Sequence, residues 1–166
     1  MRNFTAGVYW AALTTRRIGE GMRARRKGSI VKISTMYAVV APRPQLYSRT
    51  NFVNPPGYNP PGYSPPGYSA ANAALFALAS STASFGGPFG VRANAILPGP
   101  FCNVEEDGEN SVPPDDPFLD RLKARTVLGR WGSPRELVGA LLHLASDAWR
   151  VTTEQALVGD GGWTIV

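Results

Sequence analysis

Three short runs rich in β-branched and apolar residues, Ile30-Val31-Lys32-Ile33-Ser34, Val91–Leu97 and about 155–158, alternate with stretches of helical character. That alternation restricts the chain more than any other feature. Each run reads as a strand, and the β-branched first one is consistent with a buried strand. The order helix, strand, loop, helix, strand, helix, strand is that of an α/β unit, with parallel strands joined by right-handed crossovers.

The helices are marked by their ends as much as by their faces. Phe4–Arg26 places Val8, Ala11, Ala12, Thr15 and Ile18 near one face, and Gly19 and Gly21 weaken its second half. Ala71, Leu75 and Leu78 share a face of the alanine-rich stretch from Tyr68 to about Phe85, which Gly86-Gly87 and Pro88 terminate. An acidic, proline-rich loop, Asn103–Pro117, leads into a short helix near Pro117–Arg125. Ser133, Pro134 and Glu136 then spell a capping box, opening a helix whose predicted buried stripe is Leu137, Val138, Leu141, Leu142 and Ala145.

Eight of the 15 prolines fall between Pro42 and Pro66, where apolar periodicity vanishes. Residues 38–67 are therefore expected to form an expanded loop inside a single domain, 1–166. A repeat lies within it: Asn54-Pro-Pro-Gly-Tyr58, Asn59-Pro-Pro-Gly-Tyr63 and Ser64-Pro-Pro-Gly-Tyr68. Proline fixes φ and glycine permits positive φ, so each unit favours an extended segment followed by a turn. A five-residue period is too short for a solenoid. The third copy differs because a helix follows its tyrosine.

A length of 166 residues with 43% apolar content suits one domain with a real core. No apolar run is long enough to span a membrane. A single cysteine, Cys102, and a single histidine, His143, exclude an internal disulfide framework and a Cys- or His-built metal cluster, so no metal site is expected. No small-residue cleavage site follows Phe4–Leu13, and a cytoplasmic setting is expected. The net charge of +5 is uneven, with ten basic residues and one acid in 1–50 against six and eleven in 101–166. Arg16, Arg17, Arg23, Arg25, Arg26 and Lys27 are cations that can meet phosphates. They also suit the solvated C-terminal end of a helix. No reading helix or stacking platform accompanies them, so neither a nucleic-acid nor a membrane partner is expected.

Several segments together resemble the short-chain dehydrogenase/reductase family. Gly28-Ser-Ile-Val-Lys-Ile-Ser-Thr35 is similar to the strand that ends in the family's catalytic serine. Tyr68-Ser-Ala-Ala-Asn-Ala-Ala74 resembles its Tyr-x-x-x-Lys helix, and Val91-Arg-Ala-Asn-Ala-Ile-Leu-Pro-Gly99 its strand and turn over the nicotinamide. Leu128-Gly-Arg-Trp-Gly-Ser-Pro-Arg-Glu136, Ala145-Ser-Asp147 and Val158-Gly-Asp-Gly-Gly162 resemble the closing helix and strand. The resemblance implies the C-terminal half of a doubly wound parallel sheet, about three strands in a partial Rossmann-like three-layer sandwich. It also implies NAD or NADP as cofactor and a small carbonyl or alcohol as substrate. The flavour is closest to sugar-acid and polyol dehydrogenases.

By the same resemblance Tyr68 is the general acid or base and Thr35 holds the substrate oxygen. Ser34, beside Thr35, would substitute only by turning to the other face. Asn72 stands where the family's lysine binds the ribose and lowers the tyrosine pKa. An i,i+4 spacing sets positions 68 and 72 on one helical face. Pro98, Gly99 and Asn103 match the nicotinamide wall, whereas Asn94 and Asp160 read as structural and His143 as a packing residue. Asn3 resembles a helix-kinking asparagine of the family, but its distance to Thr35 is several residues too long and it stays outside the expected site.

Two departures weigh on activity. A phenol of pKa ~10 is about one part in a thousand ionised at pH 7. If a cation lowers that value by roughly three units, its loss forfeits about 4 kcal/mol of barrier lowering. The family's Gly-x-x-x-Gly-x-Gly loop, which opens a helix under the cofactor diphosphate, has no match in this chain. The sequence thus reads as a truncated or degenerate oxidoreductase, weakly active or inactive alone. An alternative is a non-catalytic interaction or oligomerisation module, a homo-oligomer or the partner of a full-length relative. In that case the Pro-Pro-Gly-Tyr units would offer Pro-Pro-x-Tyr ligands to aromatic grooves.

Overall fold

The computed structural model describes residues 2–47, 66–102 and 117–166. Helix α1 is assembled from Arg2–Phe4, a wide π turn Thr5–Tyr9 and Trp10–Ala24, running through both glycines of its second half. It ends in a Schellman pattern, in which Arg26 N–H donates to Arg23 O at 3.1 Å and Lys27 N–H to Met22 O at 3.2 Å. Strand β1 is Gly28–Ile33, and a 3₁₀ turn, Met36–Ala38, follows it. The four-residue helix α2, Pro44–Tyr47, and helix α3, Pro66–Gly86, come next. Then follow β2, Val91–Pro98; α4, Pro117–Arg125; α5, Leu137–Ala145; and β3, Ala156–Gly159.

The three strands form one parallel sheet in the order β1-β2-β3. Gly28 pairs with Val91 and Ile33 with Ile96, while Ala95 pairs with Ala156 and Pro98 with Gly159. Parallel neighbours require helical crossovers, and the helices supply both cover layers. α1 and α3 pack on one face of the sheet. α5 lies against the other, where Ser29 Oγ donates to Leu144 O at 2.7 Å. The expected α/β class and three-strand parallel arrangement are what the structure has.

The first layer packs closely because its contact residues are small. Ala79 of α3 is buried with Ala95 and Leu97 of β2, flanked by Phe76 and Ala156. A second cluster gathers beyond the strand ends, where Met36, Tyr37, Leu46, Phe118, Leu119, Leu122 and Trp163 meet. It ties the 3₁₀ turn after β1 to α2, α4 and the C-terminal segment.

Three expectations need correction. The described part of 38–67 is not all irregular: α2 forms within it, and α3 begins at Pro66, two residues before Tyr68. Proline is tolerated in a first helical turn, where its missing N–H has no helical partner to lose. Most of the Pro-Pro-Gly-Tyr repeat lies outside the described residues. The stripe of α5 is not buried as predicted, because Leu144 is covered while Val138, Leu141 and Leu142 are exposed. Ile18 of α1 is exposed too. Among the described residues no helix is long and apolar enough to cross a membrane.

Candidate functional site

The strands end on one side of the molecule, and most of the expected site residues lie there. Thr35 leaves β1 with extended backbone and caps the 3₁₀ turn, its Oγ1 accepting from Tyr37 N–H at 3.4 Å. It is 8% exposed. α3 packs on that turn and on β1, with Tyr68 in its first turn and 39% exposed. The phenol therefore sits at the helix start, where it is accessible.

Asn72 is the hinge of the arrangement. Its Nδ2 donates to Tyr68 O, one turn back, at 2.9 Å. Ser34 Oγ donates to Asn72 O at 2.9 Å, with Asn72 Oδ1 at 3.5 Å. Ser34, not Thr35, thus bonds the tyrosine helix, because successive strand residues face opposite ways and Ser34 N–H still continues the ladder to Ile96 O at 2.9 Å. The amide that replaces the expected ammonium is tied at its nitrogen end to the backbone of its own helix.

Pro98 closes β2 opposite Gly159, and Gly99 N–H donates to Gly159 O at 2.9 Å. A Cβ on Gly99 would fall 2.5 Å from Asp160 Cα, so glycine is required there by the approach of two backbones. The Asp160 carboxylate accepts from Gly162 N–H at 2.9 Å and Thr164 N–H at 2.8 Å. Asn94, fully buried, donates to Thr152 O at 3.1 Å and accepts from Gln155 N–H at 3.0 Å. Both side chains thus bond backbone groups. His143 stacks edge-on against Trp149 with ring centroids 5.1 Å apart. Asn103 lies outside the described residues.

Two features escaped sequence reasoning. The first is the π turn of α1: Asn3, before it, has its Nδ2 3.7 Å from where a Cβ on Gly67 would stand, and Gly7, within it, faces Ala71. Such a turn inserts extra chain with little extra length, which residue spacing alone cannot reveal. The second is Lys32, a buried lysine two residues before Ser34. Its ammonium donates to Ala11 O at 3.4 Å and to Thr15 Oγ1, and burial pushes its pKa down. A cleft of about 410 Å³ also opens beyond β2 and β3, lined by Phe101, Leu128, Trp131 and Val158, with the Arg130–Glu136 pair at its rim. None of Thr35, Tyr68 and Asn72 lines it.

A family model described as enoyl-(acyl carrier protein) reductase matches residues 59–164. The chain is 33% identical to sorbose reductase of Candida albicans over 95% of its own length and 47% of that protein's. It is 31% identical to the L-tagatose-forming galactitol 2-dehydrogenase of Cereibacter sphaeroides, covering 96% of itself and 53% of the relative. Among solved structures it superposes on a gluconate 5-dehydrogenase from Burkholderia cenocepacia, in complex with NADP and tartrate, with a TM-score of 0.75 and 27% identity. That match covers 96% of this chain and 54% of the other. The chain spans about half the length of the curated relatives it matches. Sequence motifs, sheet order and both kinds of likeness agree: the chain belongs to the short-chain dehydrogenase/reductase family, whose C-terminal half it matches.

Proposed function

We propose that this chain is the substrate-side half of an NAD- or NADP-dependent oxidoreductase that interconverts an alcohol and a carbonyl on a small polyol or sugar acid, in a cytoplasmic setting. Tyr68 exchanges the proton with the substrate oxygen, Thr35 holds that oxygen, and Asn72 positions the tyrosine turn. Pro98, Gly99 and Asn103 wall the nicotinamide end. The sugar and polyol relatives support the substrate class, and the NADP-bound gluconate 5-dehydrogenase supports the cofactor.

By itself the chain turns over slowly or not at all. The observation that carries this is the Asn72 amide, whose nitrogen bonds Tyr68 O where a cation would serve ribose and phenol. The described residues also do not fit a whole dinucleotide. β1 and β3 each run into a three-residue 3₁₀ turn and β2 into Pro98-Gly99-Pro100, so no strand end opens a helix able to hold a diphosphate.

The test is NADPH-dependent reduction of a panel of keto sugars and keto acids by the purified chain. Little or no turnover is expected, with Asn72→Lys raising whatever rate exists by up to about a thousandfold. Robust wild-type turnover abolished by Tyr68→Phe would overturn the inactivity. Turnover indifferent to Tyr68→Phe would remove the tyrosine from its role.

The same reading accommodates self-association or pairing with a full-length relative, supported by the exposed Tyr9, Trp10 and Ile18 of α1 and Leu141 and Leu142 of α5. Chromatography of mixed chains tests it. A Pro-Pro-Gly-Tyr interaction role rests on Tyr58 and Tyr63, outside the described residues.

A further inference from the structure

The end of the sheet opposite Thr35 and Gly99 carries its own cleft. β1 and β2 start side by side at Gly28 and Val91, and a cavity of about 430 Å³ opens over these starts. Six residues of strand, about 20 Å, separate it from the site described above. Arg26, Lys27, Arg92 and Arg150 line it against one acid, Asp147.

The placement of Arg26 is unusual. It occupies the position just past the end of α1, with φ +52°, in the left-handed region where helices commonly place glycine. A side chain there costs on the order of 1 kcal/mol. Arg26 lines the cleft, and its guanidinium Nη2 donates to Pro88 O at 3.1 Å. Arg92 is the anchored wall, donating to Thr152 O at 3.1 Å and Ser146 O at 2.8 Å. Asp147 draws in the other two cations, with Lys27 Nζ at 2.6 Å and Arg150 Nη2 at 2.7 Å on the same Oδ2. One carboxylate oxygen therefore holds two cations, and a third and fourth stand in the same wall.

We propose that this cleft is a binding site for a small phosphate polyanion, of the size of pyrophosphate or tripolyphosphate, gripped by Arg26, Lys27 and Arg150. Asp147 occupies the cationic centre in the absence of that ligand and gives way to it. Guanidinium forks match phosphate oxygens bidentately, and a single carboxylate leaves most of their N–H groups uncommitted. The concave shape favours a compact anion over a nucleic-acid backbone, which seeks an extended basic track. This site stands independently of the oxidoreductase reading, since it shares no residue with it.

Calorimetric titration of the whole chain with pyrophosphate and tripolyphosphate tests it. Saturable 1:1 binding that weakens with salt is expected. Arg26→Gly should weaken binding about tenfold while raising the urea midpoint, because glycine relieves the left-handed backbone. Asp147→Asn should tighten binding several-fold by freeing Lys27 and Arg150. Absence of saturable binding overturns the proposal. So does affinity unchanged in both variants, or a short duplex oligonucleotide that binds more tightly than tripolyphosphate and loses as much on Arg26→Gly.

Discussion

β1 and β2 are hydrogen-bonded partners of similar apolar make-up in very different surroundings. In β2, Ile96 is 1% exposed, and Ala93, Asn94, Ala95 and Leu97 are fully covered. In β1 its partner Ile33 is 54% exposed, and Lys32 is the sole residue of the strand that is buried. The difference lies in neighbours: β2 has a strand on each side, whereas among the described residues β1 has one. Parallel strands become core only when both faces and both edges are covered. α5 repeats the contrast, with Leu144 packed inward and Leu142 61% exposed. Apolar pattern states which surface wants cover, not what supplies it.

The largest effect that could break this contrast is a pair of equivalent truncations. Ile96→Ala should cost roughly 2–5 kcal/mol, and Ile33→Ala less than about 0.5 kcal/mol, read from urea midpoints at fixed slope. Comparable losses would mean that the outer side of β1 is covered in solution, and a concentration-dependent midpoint for Ile33→Ala would identify the cover as a second copy.

A smaller effect belongs to the buried lysine of β1. Its ammonium leaves water for one carbonyl and one hydroxyl, without a carboxylate among its bonds to the described residues. Burial lowers its pKa below the usual 10.5. Between the lowered folded value and the unfolded one, the unfolded chain binds more protons, so stability from this group rises with pH across that window. Lys32→Met should therefore stabilise the fold at pH 7 by about 1 kcal/mol and remove that alkaline rise. A loss of stability would show that the two hydrogen bonds outweigh the desolvation.

Much of this was legible in the residues. Helix ends were clear where chemistry punctuates them: Gly86-Gly87-Pro88 closes α3, and the Ser133–Glu136 box forms as its spacing predicts. Parallel pairing of the strands followed from the alternation, and Asn94 and Asp160 bond backbone groups as expected of polar side chains set among strands and turns. Three things were not legible, each for a physical reason. The π turn in α1 changes the angular relation of Asn3 to the rest of its helix without altering composition. The bond from Ser34 to Asn72 depends on which strand face meets α3. The exposure of Val138, Leu141 and Leu142 depends on a neighbour that these residues do not contain.

The smallest predicted effect asks what holds α5 if its apolar stripe does not. Glu136, at its entrance, takes Arg130 bidentately, both contacts at 2.8 Å, and accepts from Ser133 N–H at 2.8 Å. The Arg130 hydrogen bonds, then the Ser133 backbone donor, hold its carboxyl down to about 2, from an ordinary value of 4.5. A carboxyl lowered in the folded state stabilises it above the ordinary value and loses that contribution as pH falls through the folded one. Hydrogen exchange should therefore show α5 amides losing protection between about pH 4.5 and 2, ahead of the amides around Ala79 and Ala95. Glu136→Gln should give the acid-state protection of α5 already at pH 7. If α5 and the Ala79 cluster instead loosen together at every pH, the helix is held by its single inward residue, Leu144, and by the Ser29 hydroxyl on its carbonyl, and its open stripe costs it no independence from the sheet.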